Sequence, residues 1–306
     1  MMQTKMRSNN EYSILGLGCM NLPLDNIRET EQIIHYAYEQ GITYFDTADV
    51  YQNGQNETIV GSIVRELMQQ DSNVIIGTKG GNRFHDVESF QWDPNPEYLR
   101  FALEQSLNRL KLDKIPLYLI HGGTIEDDLV ATIETVKQFK KDGLIDSYGL
   151  SSIRPNVINE YVKHSELSTV MMQYNPIDNR PESIFNLLDK HDIPVLVRGS
   201  IMKGLFTKNY EQILIDKFSD GFESVSSNEL REQLRQIELD YNDLTTYAYK
   251  YIIDHANVLS IVVGASSLDQ LKSNIESYRN LNELKDVHNN KNVFKDINLS
   301  LIHIWR

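Results

Sequence analysis

Short apolar runs alternate along the chain with longer stretches in which apolar residues recur every three or four positions. The short runs fall at 14–16, 42–46, 74–79, 116–121, 145–151, 169–173, 194–199 and 259–264, each bounded by turn-forming or polar residues. Runs of this length predict strands, and the stretches at 29–40, 57–69, 96–110, 126–142, 155–164, 182–191, 229–254 and 269–278 predict helices. Pro96 and Pro155 suit a first helical turn, where a missing N–H costs nothing, and Gly41 and Gly143 suit helix ends. Eight β units alternating with eight α units predict an α/β protein, a (β/α)8 TIM barrel. A doubly wound sheet alternates in the same way, so the period alone leaves both open. That sheet calls for a Gly-x-Gly-x-x-Gly turn after its first strand. The nearest segment, Gly16-Leu17-Gly18-Cys19-Met20, lacks both the third glycine and a helix start.

Two stretches break the alternation. Leu259 follows Pro194 by 65 positions, and 203–227 shows little helical period, which in a compact barrel marks a functional loop. After a polar stretch at 289–298, the last eight residues fit no amphipathic pattern. Their run Leu299-Ser300-Leu301-Ile302-His303-Ile304 resembles a translated transposon-end sequencing adapter. The expectation is one barrel domain over 1–298 with a non-native tail at 299–306, the natural C-terminus being altered or missing.

Charge and composition narrow the function. Of 306 residues, 43 are acidic and 30 basic, a net charge of −13 with no basic block. Nucleic acid and anionic membranes, which need a positive face, are therefore not expected partners. The single cysteine, Cys19, excludes a disulfide framework and a cysteine-based zinc cluster, and reads as a packing residue. Residues 1–10 carry Lys5 and Arg7 without an apolar core, and the longest apolar stretches, such as 259–263, are far too short to span a bilayer. A cytoplasmic protein is expected.

In a barrel, polar residues at strand C-termini face the active site. Here they are Asp46, Lys79, His121, Ser151 and Gln173 on successive predicted strands, with Tyr51 just beyond Asp46. Glycoside hydrolysis would need a second carboxylate, and a zinc site more ligands than Asp46 and His121, so no metal is expected. Lys79 alone suits Schiff-base chemistry, but an adjacent Asp46 would hold it charged. A charged Lys79 is instead suited to tune a phenol: it stabilises phenolate, making Tyr51 a general acid for a carbonyl oxygen that gains charge. Neutral His121 would donate a second hydrogen bond. Such a site lacks a reductant, so a hydride donor must be imported.

These residues resemble the aldo-keto reductases. The likeness runs through Gly41-Ile42-Thr43-Tyr44-Phe45-Asp46-Thr47-Ala48, Tyr51, Gly54, Glu57 and Gly61, then Lys79, His121, Gly149-Leu150-Ser151 and Gln173-Tyr174-Asn175. It ends with Gly264-Ala265-Ser266, Gln270 and Asn274, similar to the family's adenosine-phosphate segment, and so spans about 15–274. The resemblance implies a barrel that binds NADPH, with NADH possible, without a Rossmann loop, and reduces a small-molecule aldehyde or ketone. It implies Asp46, Tyr51, Lys79 and His121 as a catalytic tetrad, Ser151 and Gln173 on the nicotinamide carboxamide, and the long segment after the seventh strand over the pyrophosphate. Arg198-Gly199-Ser200 replaces the family's common Tyr-Ser-Pro, so Arg198 would stack where an aromatic ring usually does. Ser152 replaces an Asn that usually helps hold the nicotinamide, and Gly122-Gly123-Thr124 after His121 would widen the substrate mouth. Ser266 stands where many bacterial members carry an arginine for the 2′-phosphate, with Lys203 a substitute if its loop folds back. Trp92 and Phe84 are read as pocket walls or as fold-closing residues. The remaining histidines, among them His85, His255 and His288, read as surface or loop residues. The alternative reading is a non-catalytic nicotinamide-binding regulatory subunit, as in potassium-channel β subunits.

Overall fold

The computed structural model describes residues 2–7, 10–84, 90–223, 225–284 and 287. The Phe84 side chain, His85, His288 and the suspected tail at 299–306 lie outside what is described. The chain begins with an antiparallel hairpin of β1 (Thr4–Arg7) and β2 (Asn10–Ser13), absent from the pattern of long apolar runs. It then enters the barrel: β3 (Leu15–Gly18), α1 (Ile27–Glu39), β4 (Tyr44–Asp46), α2 (Gln55–Gln70) and β5 (Ile75–Gly80). A second hairpin, β6 (Asn82–Phe84) with β7 (Phe90–Trp92), leads to α3 (Pro96–Leu110). The chain continues through β8 (Ile115–His121), α4 (Leu129–Lys141), β9 (Ile145–Ser151), α5 (Pro155–His164), β10 (Val170–Gln173), α6 (Glu182–Lys190) and β11 (Val195–Arg198). After β11 come α7 (Tyr210–Lys217), α8 (Ser227–Tyr241), α9 (Leu244–Ile253), β12 (Val258–Gly264) and α10 (Leu268–Arg279).

All eight strands expected from the pattern pair in parallel, and β12 closes onto β3, so the doubly wound alternative falls away. Strands β4 and β5 are buried throughout because helices cover one face and the lumen the other. Pro96 and Pro155 occupy the first helical turns, and Gly41 and Gly143 follow helix ends with φ of 92° and 75°. Three helix expectations need correction. The single helix at 229–254 is two: Asn242 ends α8 at φ 61°, and the Asp243 side chain accepts from Thr245 N–H and Thr246 N–H to start α9. The 126–142 helix starts at Leu129, because Asp128 caps it. The segment 203–227 is not wholly aperiodic, for it contains α7.

The lumen positions the site. Tyr12, Tyr44, Ile75, Leu117, Leu119, Met171, Leu196, Leu259 and Val262 form one buried cluster inside the barrel. Alternate residues of a strand share a face. Two residues beyond Tyr44, Leu119, Met171, Leu196 and Val262 stand Asp46, His121, Gln173, Arg198 and Gly264, the top layer of the same lumen. At the opposite end the hairpin seals the barrel: Tyr12 packs on Tyr44 with ring centroids 5.3 Å apart, and the Ser13 N–H donates to Thr43 Oγ1. Among the described residues no helix is long and apolar enough to cross a membrane.

Candidate active site

Lys79, near the end of β5, is almost completely buried, and its ammonium has three oxygen neighbours. Nζ donates to Asp46 Oδ2 at 2.5 Å and to the Thr47 carbonyl at 2.7 Å, and stands 3.5 Å from the Tyr51 hydroxyl. Burial alone would lower the Lys79 pKa, but the Asp46 carboxylate and Tyr51 outweigh it, so the value lies above that of an ordinary lysine. Lys79 is therefore charged at neutral pH. Asp46 is fixed from below by the Tyr44 hydroxyl, which donates to Oδ1 at 3.0 Å. Thr47 donates to Asn56 Oδ1, and Asn56 donates to the Cys19 carbonyl, which ties the ends of β3 and β4 together. Cys19 itself is fully buried, consistent with packing.

His121 ends β8 on the same rim. Burial, then the positive charges of Lys79 and Arg198, push its imidazole down to about 3, so the ring is neutral. Its Nδ1 has no hydrogen-bond partner among the described residues. Next to it, the Trp92 indole lies so close to Gly122 that a Cβ there would stand 2.4 Å from Nε1. The Arg154 guanidinium covers the same indole at 3.8 Å from the ring centroid and donates to the Gly123 carbonyl at 2.6 Å. Trp92, 42% exposed, thus forms a wall beside His121.

The other expected residues continue around the rim. Ser151 pairs in register with both His121 and Met171, and Gln173 with Arg198. Gln173 is oriented by two neighbours: its Nε2 donates at 2.8 Å to Oδ2 of Asp178, which the sequence did not single out, and its Oε1 accepts from Arg198 at 3.3 Å. Asp178 is held in turn by two bonds from Arg180. Arg198 and Gly199 are exposed at the mouth, Ser200 is buried, and Lys203 points to solvent from a turn with φ 55°. Gly264 faces Gly18 across the β12–β3 pair, leaving bare backbone at that edge. Ser266 and Gln270 bond each other at the start of α10. Asn274 has both polar ends in use, donating to the Gly264 carbonyl and accepting from Tyr249. Among the described residues no three His, Cys, Asp or Glu side chains cluster to hold a metal ion.

The structure also brings Glu57, Asp49 and Arg109 together behind Lys79. Glu57 is fully buried, and burial together with the Glu57 charge pushes the Asp49 carboxyl well above the usual carboxylate range.

A closed parallel barrel with a charged lysine, a carboxylate, a tyrosine and a neutral histidine on its C-terminal rim is the architecture of a barrel oxidoreductase acting on carbonyl groups. The profile of the Aldo/keto reductase family matches residues 14–291, and the chain belongs to that family. It is 42% identical over 274 residues to the uncharacterized oxidoreductase YqkF of Bacillus subtilis, covering 88% of each chain. It is 26% identical over 258 residues to the NADH-specific methylglyoxal reductase of Escherichia coli, covering 78% of this chain and 79% of that one. Among solved structures, the holo form of aldo-keto reductase AKR11C1 from Bacillus halodurans superposes with a TM-score of 0.83 at 38% identity, covering 91% of each chain. The chain is accordingly an NAD(P)H-dependent oxidoreductase that reduces carbonyl compounds.

Proposed function

We propose that Tyr51 is the proton donor in reduction of a small aldehyde or ketone, with Lys79, Asp46 and His121 completing the catalytic set. One observation carries this: the Lys79 ammonium sits between Asp46 Oδ2 at 2.5 Å and the Tyr51 hydroxyl at 3.5 Å. The bound nicotinamide supplies the hydride. As the carbonyl oxygen gains charge, Tyr51 gives it a proton, and the Lys79 charge stabilises the negative charge left on the phenol oxygen. Asp46 keeps Lys79 aimed and charged. His121, neutral, donates a hydrogen bond to the same carbonyl oxygen and orients it.

The rim residues suit the cofactor by their chemistry. A carboxamide needs both a donor and an acceptor, which Ser151 and Gln173 supply, and Asp178 holds Gln173 in place. The planar guanidinium of Arg198 offers a flat face to the nicotinamide ring. Gly199 and Ser200 continue that edge towards the pyrophosphate, with Lys203 beyond. Bare backbone at Gly264 and the α10 N-terminus, with Ser266, Gln270 and Asn274, suits the adenosine phosphate. This edge offers hydroxyls and amides rather than a guanidinium. The missing guanidinium weakens selection for the 2′-phosphate and leaves NADH accepted, while Gln270 and Asn274, retained from the family pattern, keep NADPH the expected cofactor.

The test is NADPH and NADH oxidation over a panel of small carbonyls, by wild type and by Tyr51→Phe. General acid catalysis is worth ~10²–10⁴-fold, so kcat should fall by about that much while cofactor affinity persists. Near wild-type turnover by Tyr51→Phe would remove Tyr51 from the mechanism, and failure of both nucleotides to bind at millimolar concentration would remove the proposed cofactor site.

A further inference from the structure

The turn that carries Tyr51 is held in an unusual backbone state. Gln52, Asn53 and Gly54 have φ of 45°, 55° and 83°, three consecutive residues in the left-handed region that L side chains rarely adopt. Such a turn takes its shape from what packs on it. Gln52 Nε2 donates to the Met20 carbonyl on one side. On the other side lies Arg109, from the last turn of α3: a Cβ on Gly54 would stand 2.7 Å from its Cδ and Nε.

Arg109 is not loose. Its Nε donates to Glu57 Oε2 at 2.7 Å, and a terminal guanidinium nitrogen pairs with the same oxygen at 2.6 Å. Glu57 is in the first turn of α2, three residues after Gly54, and is fully buried. Its other oxygen accepts the Thr78 hydroxyl at 2.5 Å. Thr78 immediately precedes Lys79 in β5. One carboxylate therefore bonds the strand that bears Lys79, and the guanidinium that neutralises it presses on the turn that bears Tyr51. Asp49, Tyr98 and Tyr118 are the other titratable groups around this pair.

A buried ion pair can serve packing alone, and breaking one costs stability wherever it lies. This pair differs in what it joins, because one end abuts Gly54 in the turn that bears Tyr51 and the other bonds Thr78 in the strand that bears Lys79. We infer that Glu57 and Arg109 are positioning residues for carbonyl reduction, setting the distance from the Tyr51 hydroxyl to the Lys79 ammonium. The inference rests on the reading of Tyr51 as proton donor.

The experiment is a double-mutant cycle between Arg109→Met and Tyr51→Phe, read as kcat, cofactor KM and the pH profile of kcat on folded protein. A misplacement of ~1 Å can cost ~10²-fold, so Arg109→Met should lower kcat by about 10- to 100-fold. It should leave cofactor KM within about twofold and shift the pH profile. In the Tyr51→Phe background it should have little further effect on kcat, because there is no hydroxyl left to misplace. Arg109→Lys, which keeps the charge and loses the fork, should recover part of the loss. Thr78→Val, isosteric and lacking only the hydroxyl, should show the same coupling at smaller size. If Arg109→Met does not fold, Arg109→Lys and Thr78→Val decide the question in the same cycle. Equal losses in the wild-type and Tyr51→Phe backgrounds, or kcat unchanged in all three variants, overturns the positioning role while Tyr51→Phe still collapses activity. Retained turnover in Tyr51→Phe overturns the proton-donor reading itself.

Discussion

His121 gives up its charge on folding. Its pKa is pushed from the ordinary 6.5 down to about 3 by burial and by the cations at Lys79 and Arg198. Between those values the unfolded chain binds a proton that the folded chain excludes, so this residue contributes a loss of stability as pH falls from 6.5 towards 3. The slope is at most about 1.4 kcal/mol per pH unit. His121→Asn should therefore show a shallower acid limb than wild type in urea unfolding at pH 7, 5.5 and 4.5. Parallel limbs for the two proteins would mean that His121 titrates normally in the fold. Above pH 6.5 the residue contributes no such loss, in keeping with an uncharged hydrogen-bond donor at neutral pH.

Among the elements, the turn between β4 and α2 holds left-handed backbone directly beside Tyr51. Gly54, with φ 83° and Arg109 packed against its α-carbon, cannot take a side chain without both backbone and steric penalty. Gly54→Ala should cost about 1–2 kcal/mol from the left-handed backbone alone, measured as a drop in urea midpoint. An unchanged midpoint would show that the turn relaxes freely. The α8–α9 junction teaches a complementary point. Apolar period runs through 229–254 without a break, yet Asn242 and Asp243 divide it, since a left-handed Asn closes one helix and an Asp side chain opens the next. Local capping chemistry outweighed periodicity there.

For the molecule as a whole, the lumen links the floor to the site. Tyr12 packs on Tyr44, Tyr44 bonds Asp46, Asp46 bonds Lys79, and Lys79 meets Tyr51. The hairpin of β1 and β2 is therefore part of the barrel's core, and Tyr12 is only 2% exposed. Tyr12→Ala should destabilise by about 3–5 kcal/mol, as large aromatic truncations in close-packed cores do, scored by chemical denaturation. A loss below about 1 kcal/mol would place Tyr12 outside the cooperative core.

The sequence alone determined the alternation of eight strands with helices and the strand-end positions of Asp46, Lys79, His121, Ser151 and Gln173. Both follow from local rules, since short strands between helices fix the alternation and a two-residue period fixes which strand-end residues share the lumen face. Closure of the sheet into a barrel was decided by the pairing of β12 with β3. Tyr51 lies in a turn that no periodicity marks; its place just beyond Asp46 made it a candidate, and the family resemblance strengthened that reading. Tertiary structure decided what period and motif do not encode. Thr47 O and Tyr44 complete the Asp46–Lys79 pair, Asp178 aims Gln173, and Arg109 reaches Glu57 from 52 residues away. It also decided that β1 and β2 seal the barrel floor, a role invisible in two four-residue strands with little apolar content. Burial and neighbouring charge, which set the His121 and Lys79 protonation states, exist only once the chain has folded around them.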